Sequence, residues 1–157
     1  MAYILADFGS SSLKTPANTF VGSPYWMAPE VILAMDDGEY DDKADIWSLG
    51  ITCYELCEKN PPHYHLNIMS ALYHISQSDA PQLLDDKWLL NYFFISNRSN
   101  DCKNFINSIL KKDPNDRPSI EELFKYNFLN KEQPTTILKG LILECAQKAR
   151  KSDSIVY

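Results

Sequence analysis

The sequence has no block of lysine and arginine. Fifteen basic residues against 21 acidic ones leave a net charge of −6 over 157 residues. Binding to nucleic acid through its phosphates needs a basic patch, so that class of function is excluded. No apolar run approaches the roughly 20 residues that a membrane-spanning helix needs. The apolar opening, residues 1–6, ends at Asp7 and has no basic flank, so it is too short for a signal-peptide core. Cysteine is sparse. Cys53, Cys57, Cys102 and Cys145 include no Cys-x-x-Cys pair, which fits a reducing, cytoplasmic compartment. Cys53 and Cys57, with His63 and His65 close behind, have a spacing that could gather a metal. Both cysteines lie in an apolar stretch, however, where they serve as small hydrophobes. Internal repeats and low-complexity tracts are lacking too.

What is present is enough for one domain with a core: 45% of the residues are hydrophobic and 23% charged. Residues 3–8 are apolar and read as a short strand. Residues 9–28, rich in Ser, Thr, Pro, Asn and Gly, read as a loop, and loops this long are usually functional or disordered. Residues 29–34 read as a short helix with Pro29 in its first turn and Gly38 beyond its end. Over 43–58, Ile46, Trp47, Leu49, Ile51, Cys53, Tyr54, Leu56 and Cys57 surround a helix on nearly all sides. That pattern predicts a fully buried central helix, stopped at Asn60-Pro61-Pro62. Ile68, Leu72 and Ile75 predict a third, amphipathic helix. Cys102, Phe105, Ile106, Ile109 and Leu110 predict a fourth. Asp113-Pro114-Asn115-Asp116 is a turn. Ser119 and Glu122 are spaced as a capping box for a fifth helix carrying Leu123 and Phe124. Pro134 opens a last helix with Ile137, Leu138, Leu141, Ile142, Cys145 and Ala149 as its apolar stripe. The assembly is mainly helical. Its one strand has no partner in the chain for its backbone groups, which is a sign of truncation.

Several short blocks carry chemistry. Asp7-Phe8-Gly9 and Ala28-Pro29-Glu30 are weak alone. More specific are Gly22-Ser23-Pro24-Tyr25-Trp26-Met27-Ala28-Pro29-Glu30 and Asp45-Ile46-Trp47-Ser48-Leu49-Gly50, followed by Asp116-Arg117-Pro118. In this order they resemble the activation segment and helical lobe of the eukaryotic protein kinases. The run from Ala17 to Met27 resembles the sterile-20 group of serine/threonine kinases. Glu30-Val31-Ile32-Leu33-Ala34-Met35-Asp36 and Ser70-Ala71-Leu72-Tyr73-His74-Ile75 are most similar to the thousand-and-one-amino-acid (TAO) kinases.

The resemblance implies a mainly α fold, the helical C-terminal lobe of the protein-kinase-like fold, with the N-terminal lobe and catalytic loop absent. Residues 1–129 would be a partial kinase domain, with an activation segment over 7–30 and a helical lobe over 31–129. Residues 130–157 would be a linker and an amphipathic helix. The implied activity is phosphoryl transfer from ATP, with Mg²⁺, to Ser or Thr of protein substrates, under an upstream activating kinase.

Site residues follow by the same resemblance. Asp7 would be catalytic as the metal ligand, because Mg²⁺ is a hard cation that takes oxygen ligands. Phe8 and Gly9 would join it in cofactor binding. Thr19 would be the regulatory phosphosite, with Ser10, Ser11, Ser12 and Thr15 as other acceptors. Ser23 would stand where this group usually has Thr, its hydroxyl serving the catalytic base and substrate selection. Tyr25 and Trp26 would either shape the peptide-docking surface or pack in the core. Glu30 and Arg117 would form a buried ion pair with a structural role, since a planar guanidinium meets a carboxylate at two points. Asp45, at the start of the 43–58 helix, reads as an N-cap; the resemblance adds hydrogen bonds from the catalytic-loop backbone.

The chain departs from the family in two respects. It contains no Gly-rich phosphate loop, no ATP-contacting Lys with its Glu partner, and no His-Arg-Asp loop. A chain without them is expected to be inactive alone. It is also expected to fold marginally, because the missing loop would leave core groups uncovered. Second, residues 89–98 look inserted and are strongly apolar for a loop, either as a retained intron or as a segment packed on the lobe. Asn97-Arg98-Ser99 within and beside them forms a glycosylation sequon without meaning in the cytosol. A free-standing interaction module and a full-length pseudokinase are the competing readings; the intact Asp7 disfavours the latter.

Overall fold

The computed structural model describes residues 23–36, 38–83 and 96–130, with the side chains of residues 36 and 96–99 outside that description. The expected strand over 3–8, most of the 9–28 loop and the last helix after Pro134 lie outside the described residues, as do residues 89–95.

Within the described residues the regular elements are all helical. A 3-10 turn, Pro24–Trp26, precedes helix α1, Pro29–Leu33, which tightens into a second 3-10 turn, Ala34–Asp36. Pro29 opens α1 where its missing N–H costs nothing. The Gly38 N–H closes this end onto the Ala34 carbonyl at 3.0 Å. A Cβ on Gly38 would lie 2.6 Å from the Ala34 Cα, so only glycine lets the chain turn back this closely.

Helix α2, Lys43–Glu58, spans the residues that its periodicity predicted. Lys59 ends it in a left-handed conformation, φ 70°, with its N–H on the Glu55 carbonyl. The expectation of burial on all sides is corrected. Ala44, Ile46, Trp47, Gly50 and Ile51 are buried, whereas Asp45, Leu49, Thr52 and Leu56 form an exposed row at helical spacing, with Leu56 81% exposed. Apolar residues all round a helix show what it could bury, but neighbours decide what it does bury.

Helix α3, Ile68–Gln77, starts at Asn67, whose side chain accepts from the Ser70 N–H at 2.9 Å. It buries Ala71, Leu72 and Ile75. Ile68, expected in the apolar stripe, is 52% exposed. Helix α4, Ser96–Ile109, includes the last three residues of the 89–98 stretch and buries Phe105, Ile106 and Ile109, with Leu110 just beyond its end. The 3-10 turn Pro114–Asp116 follows, fixed by Asp113, whose carboxylate accepts from the backbone and side chain of Asn115. Helix α5, Ile120–Leu123, is a single turn with the expected capping box of Ser119 and Glu122. Leu123 is buried, but Phe124 is 66% exposed. Helix α6, Asn127–Asn130, brings Phe128 to Phe105 at 5.2 Å, beside Tyr126 at 5.4 Å.

One core joins these pieces: Ala28, Val31, Ile46, Trp47, Ile51, Ile75, Leu83, Phe105, Ile106, Ile109, Leu110 and Leu123 pack together. Burying each of the larger apolar side chains contributes about 1.5–3 kcal/mol. Helices α2 and α4 cross closely at Gly50. A Cβ on Gly50 would fall 2.6 Å from Leu110 Cδ2, 2.9 Å from its Cγ and 3.0 Å from Ile109 Cγ1.

A sharp, cooperative thermal melt of the isolated chain would contradict the expectation of marginal folding. Measured beside it, Gly50→Ala is expected to destabilise by about 1–3 kcal/mol through overpacking, despite alanine's better helix propensity. The readout is the urea midpoint, and an unchanged or raised midpoint would count against a close-packed crossing.

Candidate functional site

The 3-10 turn Pro114–Asp116 delivers Arg117 into the interior, where it is 2% exposed. Glu30 comes from the first turn of α1, 87 positions away. The structure brings them together as a two-point fork: Arg117 Nη1 donates to Glu30 Oε1 at 2.5 Å and Nη2 to Oε2 at 2.7 Å. The other donors are taken by backbone carbonyls. Nε reaches the Lys111 carbonyl at 2.8 Å, Nη1 that of Lys43 at 2.8 Å and Nη2 that of Lys112 at 3.2 Å. A guanidinium has five N–H donors, and all five are used. Its face lies 5.2 Å from the Trp47 ring centroid.

Two lysines complete the junction. Lys43 Nζ donates back to the Arg117 carbonyl at 2.5 Å. Lys112 Nζ donates to the Ile75 and Ser76 carbonyls in the last turn of α3, at 2.5 and 2.9 Å, where a cation complements the helix dipole. Burial holds the Lys112 pKa below its ordinary value, against the raising influence of Asp79 and Glu30.

The segment before Glu30 is stitched to the same floor. Ser48 Oγ, on α2, donates to the Trp26 carbonyl at 2.9 Å, and Tyr25 donates its hydroxyl to the Leu66 carbonyl at 3.0 Å. Tyr25 is therefore a tether with its ring edge toward Trp26, at 6.2 Å. Ser48 stood in a recognised sequence block without a role. Its partner is a backbone carbonyl 22 positions away, and no side-chain pattern could have announced it.

Ser23 is exposed, and its hydroxyl makes no hydrogen bond among the described residues; its carbonyl accepts from the Trp26 N–H. Asp45 is not the N-cap of α2. It is the third residue of the helix and exposed; the N-cap is Asp42, whose side chain makes no capping bond, and the Asp41 carboxylate just before it accepts from the Lys43 N–H at 2.9 Å. A first-turn acid still suits the positive end of the helix. Asp7, Phe8, Gly9 and Thr19 lie outside the described residues, so the nucleotide and metal positions have no geometry here. Among the described residues no group of three or more His, Cys, Asp or Glu side chains is placed to hold a metal ion. No helix among them is long and apolar enough to cross a membrane. Beside the anchor lies an open polar trough of about 750 Å³ with Asn104, Asn107, Lys111, Asn115 and Tyr126 in its walls, not the enclosed apolar pocket usual for a small ligand.

The described residues thus build a segment pinned by a buried Arg–Glu fork to a helical floor. The protein kinase domain family matches residues 3–129, and the chain belongs to that family. Within it the similarity is to the TAO serine/threonine kinases. The chain is 52% identical over 98% of its length to serine/threonine-protein kinase TAO1-B of Xenopus laevis. It is 50% identical to TAO2 of Rattus norvegicus and 48% to TAO3 of Gallus gallus, again over 98% of the chain. It spans only 12% to 16% of the length of these relatives.

Two predictions follow from the junction. Glu30→Ala would strand a buried guanidinium and is expected to cost about 3–5 kcal/mol; Arg117→Met, which removes the charge with it, should cost less than Arg117→Ala. Denaturation midpoints of the three variants check this, and equal midpoints for Glu30→Ala and the parent chain would refute it. The second concerns His63, which stacks on His74 at 5.4 Å. Burial, then the positive charges of His74 and His65, hold its pKa below the ordinary 6.5. The unfolded chain therefore takes up the proton first, so stability should fall as pH drops below about 6.5. His63→Asn suits the left-handed backbone there, φ 62°, and should flatten that fall in melts run across pH 5–7.

Proposed function

We propose that the chain is the activation segment and helical lobe of an ATP-dependent protein serine/threonine kinase of TAO type, acting in the cytoplasm. The observation that carries this reading is the Glu30–Arg117 fork, which holds the end of the segment against α2 and α4. A segment fixed at that end can be rearranged at the other. Phosphate on Thr19, added by an upstream kinase, would bring about −1.5 to −2 charges and order the segment against a basic cluster. Ser23, exposed ahead of the Pro24–Trp26 turn, is placed in sequence to present its hydroxyl where a Ser or Thr of a protein substrate is selected.

Asp7, with Phe8 and Gly9, would hold Mg²⁺ in the complete nucleotide site. The ion, when bound, neutralises charge on the phosphates of ATP. The 157 residues contain no His-Arg-Asp loop and no Gly-rich loop. They offer the substrate hydroxyl no base and ATP no cover, so the isolated chain is inactive and transfer requires residues beyond this sequence.

The test is a protein-phosphorylation assay with MgATP on a chimaera that joins the N-terminal lobe and His-Arg-Asp loop of a TAO kinase to this chain ahead of Met1. Asp7→Asn should lower its rate by about two to three orders of magnitude, as expected for a group that stabilises transition-state charge. Thr19→Ala should prevent activation by the upstream kinase. Transfer by the 157-residue chain alone, or full activity with Asn at position 7, would overturn the proposal. A second reading, a non-catalytic interaction module, is favoured by one feature: Met69 and Tyr73 stand exposed on the outer side of α3. It predicts partner binding by the isolated chain that is lost on Met69→Asp and indifferent to Asp7→Asn.

A further inference from the structure

Helices α2 and α4 touch at two levels. At one, Gly50 meets Leu110 and Ile109. Two helical turns further along both helices, in opposite chain directions, Cys57 on α2 faces Cys102 on α4 with the sulfurs 3.9 Å apart. At the first level the side chains of Leu110 and Ile109 lie close over Gly50, and the thiols meet at the second. Both cysteines are half-buried, which leaves them within reach of a small oxidant. Cys53 lies one turn earlier on α2 and is also half-buried.

We propose that Cys57 and Cys102 are an oxidant-responsive dithiol that closes, on contact with hydrogen peroxide, into an intramolecular disulfide stapling α2 to α4. The two thiols are not equivalent. The hydrogen bond from Cys102 lowers the Cys57 pKa, while the same contact and burial push Cys102 up. Cys57 is the proposed first nucleophile, because the thiolate is the reactive form; either sulfur can donate in their contact, and the reverse order gives the same disulfide. Burial raises Cys53, which leaves it the poorer competitor.

The Cys57 thiolate attacks one peroxide oxygen. The O–O bond breaks, hydroxide leaves, and Cys57 becomes a sulfenic acid. The Cys102 sulfur then attacks the Cys57 sulfur. The S–S bond forms, the S–O bond breaks, and the departing hydroxide takes the Cys102 proton as water. Two thiols lose two electrons in all, and one peroxide becomes two waters. A cytosolic disulfide of this kind is transient and reversible by cellular thiols. The bond would join residues 45 positions apart and enclose α3 and the residues around it in a covalent loop. Tying such a loop restricts the unfolded chain and stabilises the fold.

The experiment expresses the 157-residue chain in cells, applies a short pulse of hydrogen peroxide, blocks free thiols with N-ethylmaleimide and maps peptides without reduction. The expected result is a Cys57–Cys102 linked peptide, lighter by two hydrogens, that exceeds every pairing with Cys53 or Cys145. It should persist in Cys53→Ser, vanish in Cys57→Ser and Cys102→Ser, and be reversed by dithiothreitol. Peroxide added to the purified chain in urea should give mixed pairings. The purified oxidised chain should melt about 5–10 °C above the reduced one. Free thiols at both positions while Cys53 or Cys145 is oxidised would overturn the proposal. So would Cys57 running on to sulfinic acid beside an unreacted Cys102, or the same mixed pairings in native and denatured chains.

Discussion

Removing a guanidinium from water is among the most costly steps in folding a chain of this size, and the structure is arranged around making that step tolerable. Arg117 is buried, so each N–H that water would have satisfied must find an acceptor in the protein. Glu30 supplies two, and the carbonyls of Lys43, Lys111 and Lys112 supply the rest. Those acceptors come from the start of α1, the first residue of α2 and the stretch after α4. The fork therefore does more than pair two charges. It sets the relative positions of three stretches of backbone, and a shift in any one would leave a donor unpaired in a medium where unpaired donors are costly.

Around that junction α2 works as an axis with two unlike sides. Its buried side takes Trp47 under the guanidinium and Gly50 against α4, and Ser48 on the same helix holds the Trp26 carbonyl. Its other side carries Asp45, Leu49, Thr52 and Leu56 outward. The anchored segment and the close helix crossing are thus consequences of one helix whose side chains alternate between locking the backbone of others and packing against it. Glycine at position 50 brings α4 near. Serine at position 48 is small enough to reach a neighbouring carbonyl while also lying 3.2 Å from the Ala44 carbonyl of its own helix.

The segment ahead of Glu30 is joined to this floor unevenly. The segment is held at Glu30, Trp26 and Tyr25, whereas Ser23, just upstream, is exposed, with a hydroxyl that makes no hydrogen bond among the described residues. Membership of the protein kinase family and the identity of about half to the TAO kinases agree with that pattern. The apolar side chains of α3 that face outward, Met69 and Tyr73, add a surface that the core does not use.

Much of this was legible in the amino-acid order alone. The bounds of α2, the capping box at Ser119 and Glu122, the apolar face of α4 and the family itself follow from local spacing, because helix periodicity, caps and short motifs are properties of neighbouring residues. The pairing of Glu30 with Arg117 could be expected only through a resemblance, since nothing local links positions 87 apart. What the tertiary structure alone decided is which groups face each other: that Leu56 lies outside and Gly50 on the buried side of the same helix, that Asp41 rather than Asp45 accepts from its first N–H, that Ser48 holds Trp26, and that Cys57 meets Cys102. Burial and contact depend on the surfaces that arrive from elsewhere in the chain, and one helix carries no record of them in its own sequence.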